Sequence, residues 1–350
     1  MSDDVWAAQD TTPDAIESAL RDLLRRRHAE NPSLVPARVL NLIVVADREW
    51  KGEIANRLER VGRYRASRMI LCAVEDGRDA LDAVMVMDYE EAPGGTLGVI
   101  HEKVEIDMGP EHLGRLDTIV DPVRVPELPT MLWSPHGFHQ AVEALLPMTD
   151  VVLVDSDDHD QDDVGLARAC ELLGHAYVVD LAWLRTTPWR ERLAACFDTP
   201  DRRPALGQLS EICIRHHPSS APSAALLAGW LASRLGWEPG RLSDPNGDGR
   251  HGDLAAGGDR RVHVQLAPFD QDAPGLGGVT VRWSQSSLSL DRGSGGLSAR
   301  EVFEDGRELS WRVLGASRGE GGILGEGVRQ ALLRDGTYGP ALGAALELCP

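Results

Sequence analysis

At 350 residues the chain is longer than one hydrophobic core commonly serves, and two domains are expected. Its 42% hydrophobic and 26% charged residues exclude a disordered or fibrous protein. A formal charge of −19 would repel a phosphate backbone and argues against nucleic acid as a partner.

Met1 to Asp10 lacks a basic segment followed by an apolar one, so no secretory signal is visible. Ser219 to Ser233 carries no charge but is shorter than the ~20 apolar residues that span a bilayer. A cytoplasmic protein without a membrane partner is the expectation.

In chain order, Ile16, Leu20, Leu23 and Leu24 form the apolar stripe of a first helix, with Thr12 and Pro13 placed to start it. Val39 to Val45 reads as a strand buried on both faces. A helix with Ile54, Leu58 and Val61 inward follows, then a strand from Met69 to Val74, completing a βαβ unit. Further strands are expected at Leu81 to Met87, Val99 to Met108 and Val151 to Val154, with helices at Phe138 to Leu146 and Val164 to Leu173, the latter ended by Gly174.

The pattern then changes. A helix is expected at Pro188 to Phe197, started by Thr187 and Pro188, and another at Pro222 to Leu235. The latter's small-residue face, Ala225, Ala228, Gly229 and Ala232, permits close packing on another element. Leu242 to Arg260, rich in Gly and Asp, reads as a loop. Val262, Val264 and Leu266 alternate with polar residues, as do Val279, Val281 and Trp283, and again Leu309, Trp311 and Val313. Strict alternation is the signature of an antiparallel sheet with one wet face. The fold expected is α/β: an N-terminal α/β domain with a mainly buried sheet over residues 1–178, and a C-terminal α+β domain with an antiparallel sheet over 179–350.

Several chemistries are missing. Lys51 and Lys103 are the only lysines, and no phosphate-cradling G-x-x-x-x-G-K-[ST] loop is present. The first βα turn reads Ala46-Asp47-Arg48-Glu49, not the glycine fingerprint of a dinucleotide fold, and no G-x-S-x-G elbow exists. Five scattered cysteines suit neither a zinc site nor a disulfide framework; Cys72, Cys170 and Cys213 read as small buried hydrophobes, and Cys349, next to the terminus, as the reactive one.

The candidates that remain are clusters. Asp155, Asp157, Asp158, His159, Asp160, Asp162 and Asp163 follow a strand and precede a helix, where carboxylates could hold a divalent metal but more simply cap the helix on a solvated loop. Asp244, Asn246, Asp248 and Gly249 open like a calcium loop, yet Ala255 stands where its bidentate glutamate belongs, so a turn is expected. Arg60, Arg63, Arg65 and Arg68 form an arginine band that, with Ser67, could receive an anion, or that serves surface pairing such as Glu53 with Arg57. No metal site is assigned. Of nine tryptophans, Trp133, Trp183 and Trp189, with Arg190, are the candidates for a partner-binding surface, because Trp is enriched at interface hot spots, while core packing is the default reading for any single ring.

Read together, certain stretches resemble the OpcA-type family of glucose-6-phosphate dehydrogenase assembly proteins. They are Arg38-Val-Leu-Asn41-Leu-Ile-Val-Val, Ser67-Arg68, Val125-Pro-Glu-Leu-Pro129 with Leu132-Trp133, Val152 to Ser156, Asp180-Leu181 with Trp183, Thr187-Pro-Trp-Arg190 and Ala228 to Trp237. Ala66, Ser134 and Ala182 depart from the family's pattern. The resemblance implies a non-catalytic effector, with no cofactor, that binds glucose-6-phosphate dehydrogenase and promotes its active oligomeric, high-substrate-affinity form in the oxidative pentose phosphate pathway. The alternative, from the residues alone, is a metal-dependent hydrolase of a phosphorylated metabolite built on Asp155 to Asp163 and the arginine band.

Overall fold

The computed structural model describes residues 4–349 apart from 31, 33, 36–37, 63–66, 92–97, 160, 246, 294–295, 314–319 and 331–332. The chain folds as two compact units. One comprises Met1–Val154, His175–Val179 and Leu324–Leu333, the other Asp155–Gly174, Asp180–Ile323 and Arg334–Pro350.

In the first unit the elements are β1 (Asp4–Ala8), α1 (Pro13–Glu30), β2 (Leu34–Val35), β3 (Leu40–Asp47), α2 (Lys51–Gly62), β4 (Ser67–Val74), β5 (Asp82–Glu91), β6 (Gly98–Met108), α3 (Leu116–Val120), β7 (Thr130–Trp133), α4 (His139–Leu145) and β8 (Val151–Val154). The expected βαβ unit is present: β3 and β4 pair in parallel from Leu40 opposite Ser67 to Asp47 opposite Val74. Leu42 to Ala46 and Ile70 to Ala73 are wholly buried, as continuous apolar runs require when both sheet faces are covered. The sheet runs β1-β5-β6-β4-β3-β7-β8-β9, with β2 against β6; β1, β5 and β6 pair antiparallel, and the central strands are parallel.

The chain continues through α5 (Asp162–Leu173) and β9 (Tyr177–Asp180), and then α6 (Leu181–Cys196), α7 (Arg203–Leu206), β10 (Leu209–His216) and α8 (Ala221–Leu235). The strands β11 (Arg250–Ala255), β12 (Arg261–Pro268), β13 (Leu276–Trp283), β14 (Ser286–Gly293), β15 (Gly296–Val302) and β16 (Glu308–Val313) precede α9 (Glu320–Gln330) and α10 (Tyr338–Leu348). The second unit's sheet runs β11-β12-β10-β13-β14-β15-β16 and is antiparallel except where β10 lies parallel to β12. The alternation holds in its centre, where Val262, Val264, Leu266, Val279 and Val281 are buried. It fails at β16, where Leu309 is 49% exposed, because an edge strand has a neighbour on one side only.

Four expectations are corrected. The helix placed at Pro188 to Phe197 begins at Leu181 and carries Pro188 in its interior. Leu242 to Arg260 contains β11, an edge strand that buries one large residue, Leu254, and so lacks a visible period of two. Cys349 is buried beside the end of α10, whereas Cys170 on α5 is exposed and Cys213 on β10 is half-buried.

The small-residue face of α8 meets α10. A Cβ on Gly229 would fall 2.3 Å from the Ala341 carbonyl oxygen and 2.7 Å from the Ala345 nitrogen, so glycine sets how near the two backbones come. Among the described residues no helix is long and apolar enough to cross a membrane.

Candidate functional site

The apolar strand β9 ends in Asp180, whose side chain caps α6 by accepting from the Ala182 amide at 3.0 Å. The same carboxylate accepts from the Ser156 amide at 3.1 Å, the Ser156 hydroxyl at 2.7 Å and the Tyr338 hydroxyl at 2.9 Å. One turn into α6, Arg185 donates both terminal nitrogens to Asp155, at 2.6 and 2.7 Å, and reaches Asp157 at 3.5 Å. Asp157 accepts from the Ser223 amide at 3.0 Å and its hydroxyl at 2.6 Å. Ser223 lies in the first turn of α8, so Asp157 caps that helix from 66 residues away while Ser220, the local cap residue, makes no capping bond.

The solvated-loop expectation for the acidic run therefore fails at its front end. Asp155 and Asp157 are buried because their charges have donors: a guanidinium fork and a helix terminus. Three carboxylates converging in so little solvent disturb one another. Burial first, then the neighbouring Asp155 charge, pushes Asp157 up to about 7, with Ser223 opposing; the same two causes push Asp180 up to about 6, with Ser156 and Tyr338 opposing. Among the described residues no group of three or more His, Cys, Asp or Glu is arranged to hold a metal ion.

A second network shares α6. The indole nitrogen of Trp183 donates to Asp335 at 2.9 Å, and the Arg190 guanidinium stacks 3.5 Å above the Trp183 ring. Arg190 also donates to the hydroxyls of Thr186 at 3.0 Å and Thr187 at 2.9 Å. Burial lowers Arg190 to about 10 against the opposing charge of Asp335. The Thr186 hydroxyl bonds the Trp183 carbonyl at 2.7 Å, serving a backbone group in the turn before Pro188, where the proline ring disfavours regular helix bonding. Tyr338 links the networks, packing 5.5 Å from the Trp183 ring while donating to Asp180.

The partner-binding candidates are thus divided. Trp183 and Arg190 form one stack within the second unit; Trp189, on the same helix, is 3% exposed; Trp133, on β7 in the first unit, is 4% exposed. Of the anion-binding candidates, Arg63 and Arg65 lie outside the described residues. Ser67 is buried at the start of β4. Arg68 is buried too, donating to Glu102 at 2.9 Å and to the Val123 carbonyl at 2.8 Å, and Arg38 shares the same glutamate. The Asn41 amide explains the nearby Val125 to Pro129 segment. It donates to the carbonyls of Val125 at 2.9 Å and Leu128 at 3.3 Å and accepts from the Val125 amide at 2.9 Å.

Sequence reasoning passed over Tyr338, Asp335, Arg185 and Ser223. Only the helix-start character of Asp180 and the lone phenol of the last helix were visible signals, since their partners are distant in sequence.

Comparison with known proteins adds the following. Residues 58–171 match the family model described as the glucose-6-phosphate dehydrogenase subunit N-terminal domain, and residues 176–298 match the corresponding C-terminal domain. An OxPP cycle protein bearing the name OpcA, from Synechocystis sp., is 32% identical over 131 residues, 36% of this chain and 28% of that one. Its namesake from Synechococcus elongatus is 30% identical over 167 residues, 46% of this chain and 38% of that one. The chain thus matches well under half the length of these relatives. Among solved structures, an aldose-aldose oxidoreductase from Caulobacter crescentus aligns with a TM-score of 0.49 at 12% identity, covering 89% of this chain and 95% of that one.

Proposed function

Because the chain belongs to the OpcA family of glucose-6-phosphate dehydrogenase subunits, we propose that it is a non-catalytic effector of that dehydrogenase. It binds the enzyme and favours its active oligomeric, high-substrate-affinity form at the entry to the oxidative pentose phosphate pathway, in the cytoplasm. The observation that carries this reading is the succession of both subunit domains, N-terminal then C-terminal, along one chain.

The chemistry of the carboxylate cluster supports it. Asp155, Asp157 and Asp180 spend their lone pairs on Arg185, two helix termini, Ser156 and Tyr338, which is how a scaffold uses acids. A general acid or base instead needs to reach a substrate proton. The stack of Arg190 on Trp183 stiffens α6, so these candidates act on a partner surface by positioning it.

The test mixes the purified chain with its cognate dehydrogenase, following complex mass by light scattering and NADP reduction by absorbance. The chain alone is expected to leave glucose 6-phosphate unoxidised, and the mixture to form a complex with a left-shifted substrate curve. No complex at micromolar concentration, with an unchanged curve, would overturn the reading.

A further inference from the structure

A cavity of about 320 Å³ opens within the second unit, away from the carboxylate cluster. Its volume falls at the lower end of small-molecule pockets, roughly 300 to 1,000 Å³. The deep wall is apolar and buried: Leu193 and Phe197 at the end of α6, Leu209 at the start of β10, Leu231 on α8 and Val281 on β13. The half-buried Trp230 flanks it.

The rim is charged. Arg203 on α7 and Arg234 on α8 line the cavity and are exposed, and among the described residues neither guanidinium forms an ion pair or a hydrogen bond. The exposed Asp198 is the one acid of the lining, leaving a net positive charge of one on a chain whose formal charge is −19. Where Arg282 has Glu211 and Arg300 has Glu308, Arg203 and Arg234 have no such carboxylate among the described residues and line the same apolar hole.

The wall carrying Arg203 is also held in place. Before α7, Arg202 donates to the buried Glu301 at 2.5 Å and to the Cys196 carbonyl at 3.3 Å. After α7, Arg260 donates to the Gly207 carbonyl and to the Ala256 carbonyl at 2.8 Å. A short helix pinned at both ends presents its arginine in one place, which lowers the ordering cost of binding.

We propose that this cavity binds an amphipathic monoanion, a small carboxylate whose alkyl or aryl body fills the apolar hole and whose head group takes the fork of Arg203 and Arg234. An excess of one positive charge suits one negative charge rather than two. A charge-assisted hydrogen bond at the rim separates such a ligand from its neutral counterpart by about tenfold or more.

Isothermal calorimetry on the full chain tests this with octanoate, octanol and octylamine. Octanoate is expected to bind once per chain, about tenfold tighter than octanol, and octylamine more weakly than either. In the double variant R203A/R234A, octanoate should fall to the affinity of octanol while octanol is unchanged. Ala194→Trp, at an exposed lining position on α6, should exclude both, with circular dichroism and melting temperature reporting that the fold is kept. Equal affinity for octanoate and octanol, octanoate binding that survives the double substitution or Ala194→Trp, or binding of neither would overturn the proposal.

Discussion

The Tyr338 hydroxyl donates to the Asp180 carboxylate at 2.9 Å, joining the first residue of α10 to the cap of α6 across 158 positions of sequence. Tyr338→Phe keeps the ring against Trp183 and removes only this donor. A hydrogen bond to a charged group contributes about 1.5–3 kcal/mol, against about 0.5–1.5 for neutral partners. Asp180 is pushed up to about 6, so the variant should lose more stability at pH 8, where the carboxylate is charged, than at pH 5. Urea unfolding at the two pH values measures the difference; equal losses would show that the hydroxyl does not serve the charged acid.

Acid should stabilise the second unit over a range where ordinary carboxylates do the opposite. Asp157 at about 7 and Asp180 at about 6 bind protons more tightly folded than unfolded, where an aspartate titrates near 3.8. Between those values the folded state holds more protons. Raising pH then costs about 1.4 kcal/mol per pH unit for each proton that only the folded state retains. This stabilisation is present below about pH 4 and is lost as pH rises through 6 to 7. Asp157→Asn keeps an oxygen for the Ser223 amide and removes the titration, so its unfolding midpoint should vary less between pH 5 and 8 than the parent's. An unaltered pH profile would contradict this account.

Two glycines in helices should respond oppositely to alanine. A Cβ on Gly229 meets backbone atoms of α10 at 2.3 and 2.7 Å, and forcing it in should cost about 1–3 kcal/mol. Gly343, inside α10, has nothing within 4 Å of its Cβ position. Alanine there should stabilise by about 0.5–1 kcal/mol through helix propensity alone. Thermal unfolding of both variants checks the sign, and a stabilised Gly229→Ala would mean the helices pack less closely.

Trp189 is 3% exposed, so its truncation should act through the core. Trp189→Ala is expected to cost about 3–5 kcal/mol and Trp189→Phe considerably less. Dehydrogenase affinity should then follow melting temperature across the pair. Loss of affinity in Trp189→Phe at an unchanged melting temperature would instead place the ring in the docking surface.

Much of this architecture is legible in residue order. The runs of β3 and β4 announce a buried sheet because no polar residue interrupts them, and Gly229 among alanines announces a close helix crossing. What stays hidden is the work of charged residues. The run from Asp155 reads as a wet loop because sequence spacing does not reveal Arg185 on α6 or Ser223 on α8. The tryptophans leave core and partner surface open for a similar reason, since the composition that marks a hot spot also marks a core. Helix α9, with Gly321, Gly322, Gly325 and Gly327, and α10, with Gly339 and Gly343, have poor intrinsic propensity. For α10, packing on α8 supplies what local sequence lacks.

An effector that raises its enzyme's affinity for substrate must in turn be held more tightly when substrate is present. Coupling between two sites is reciprocal at equilibrium, and ordinary coupling is about 1–3 kcal/mol, roughly 5- to 150-fold. If this chain shifts its dehydrogenase toward a tighter-binding form, saturating glucose 6-phosphate should lower the dissociation constant of the complex by the same factor. The shift can be no larger than the chain's own preference for one enzyme state over the other. Measuring both arms, substrate affinity with and without this chain and complex affinity with and without substrate, closes the cycle. Omitting NADP keeps the enzyme from turning over, so that the factors compared are true binding constants. A complex that forms equally well in both conditions would mean that the chain assembles with the enzyme without tuning it.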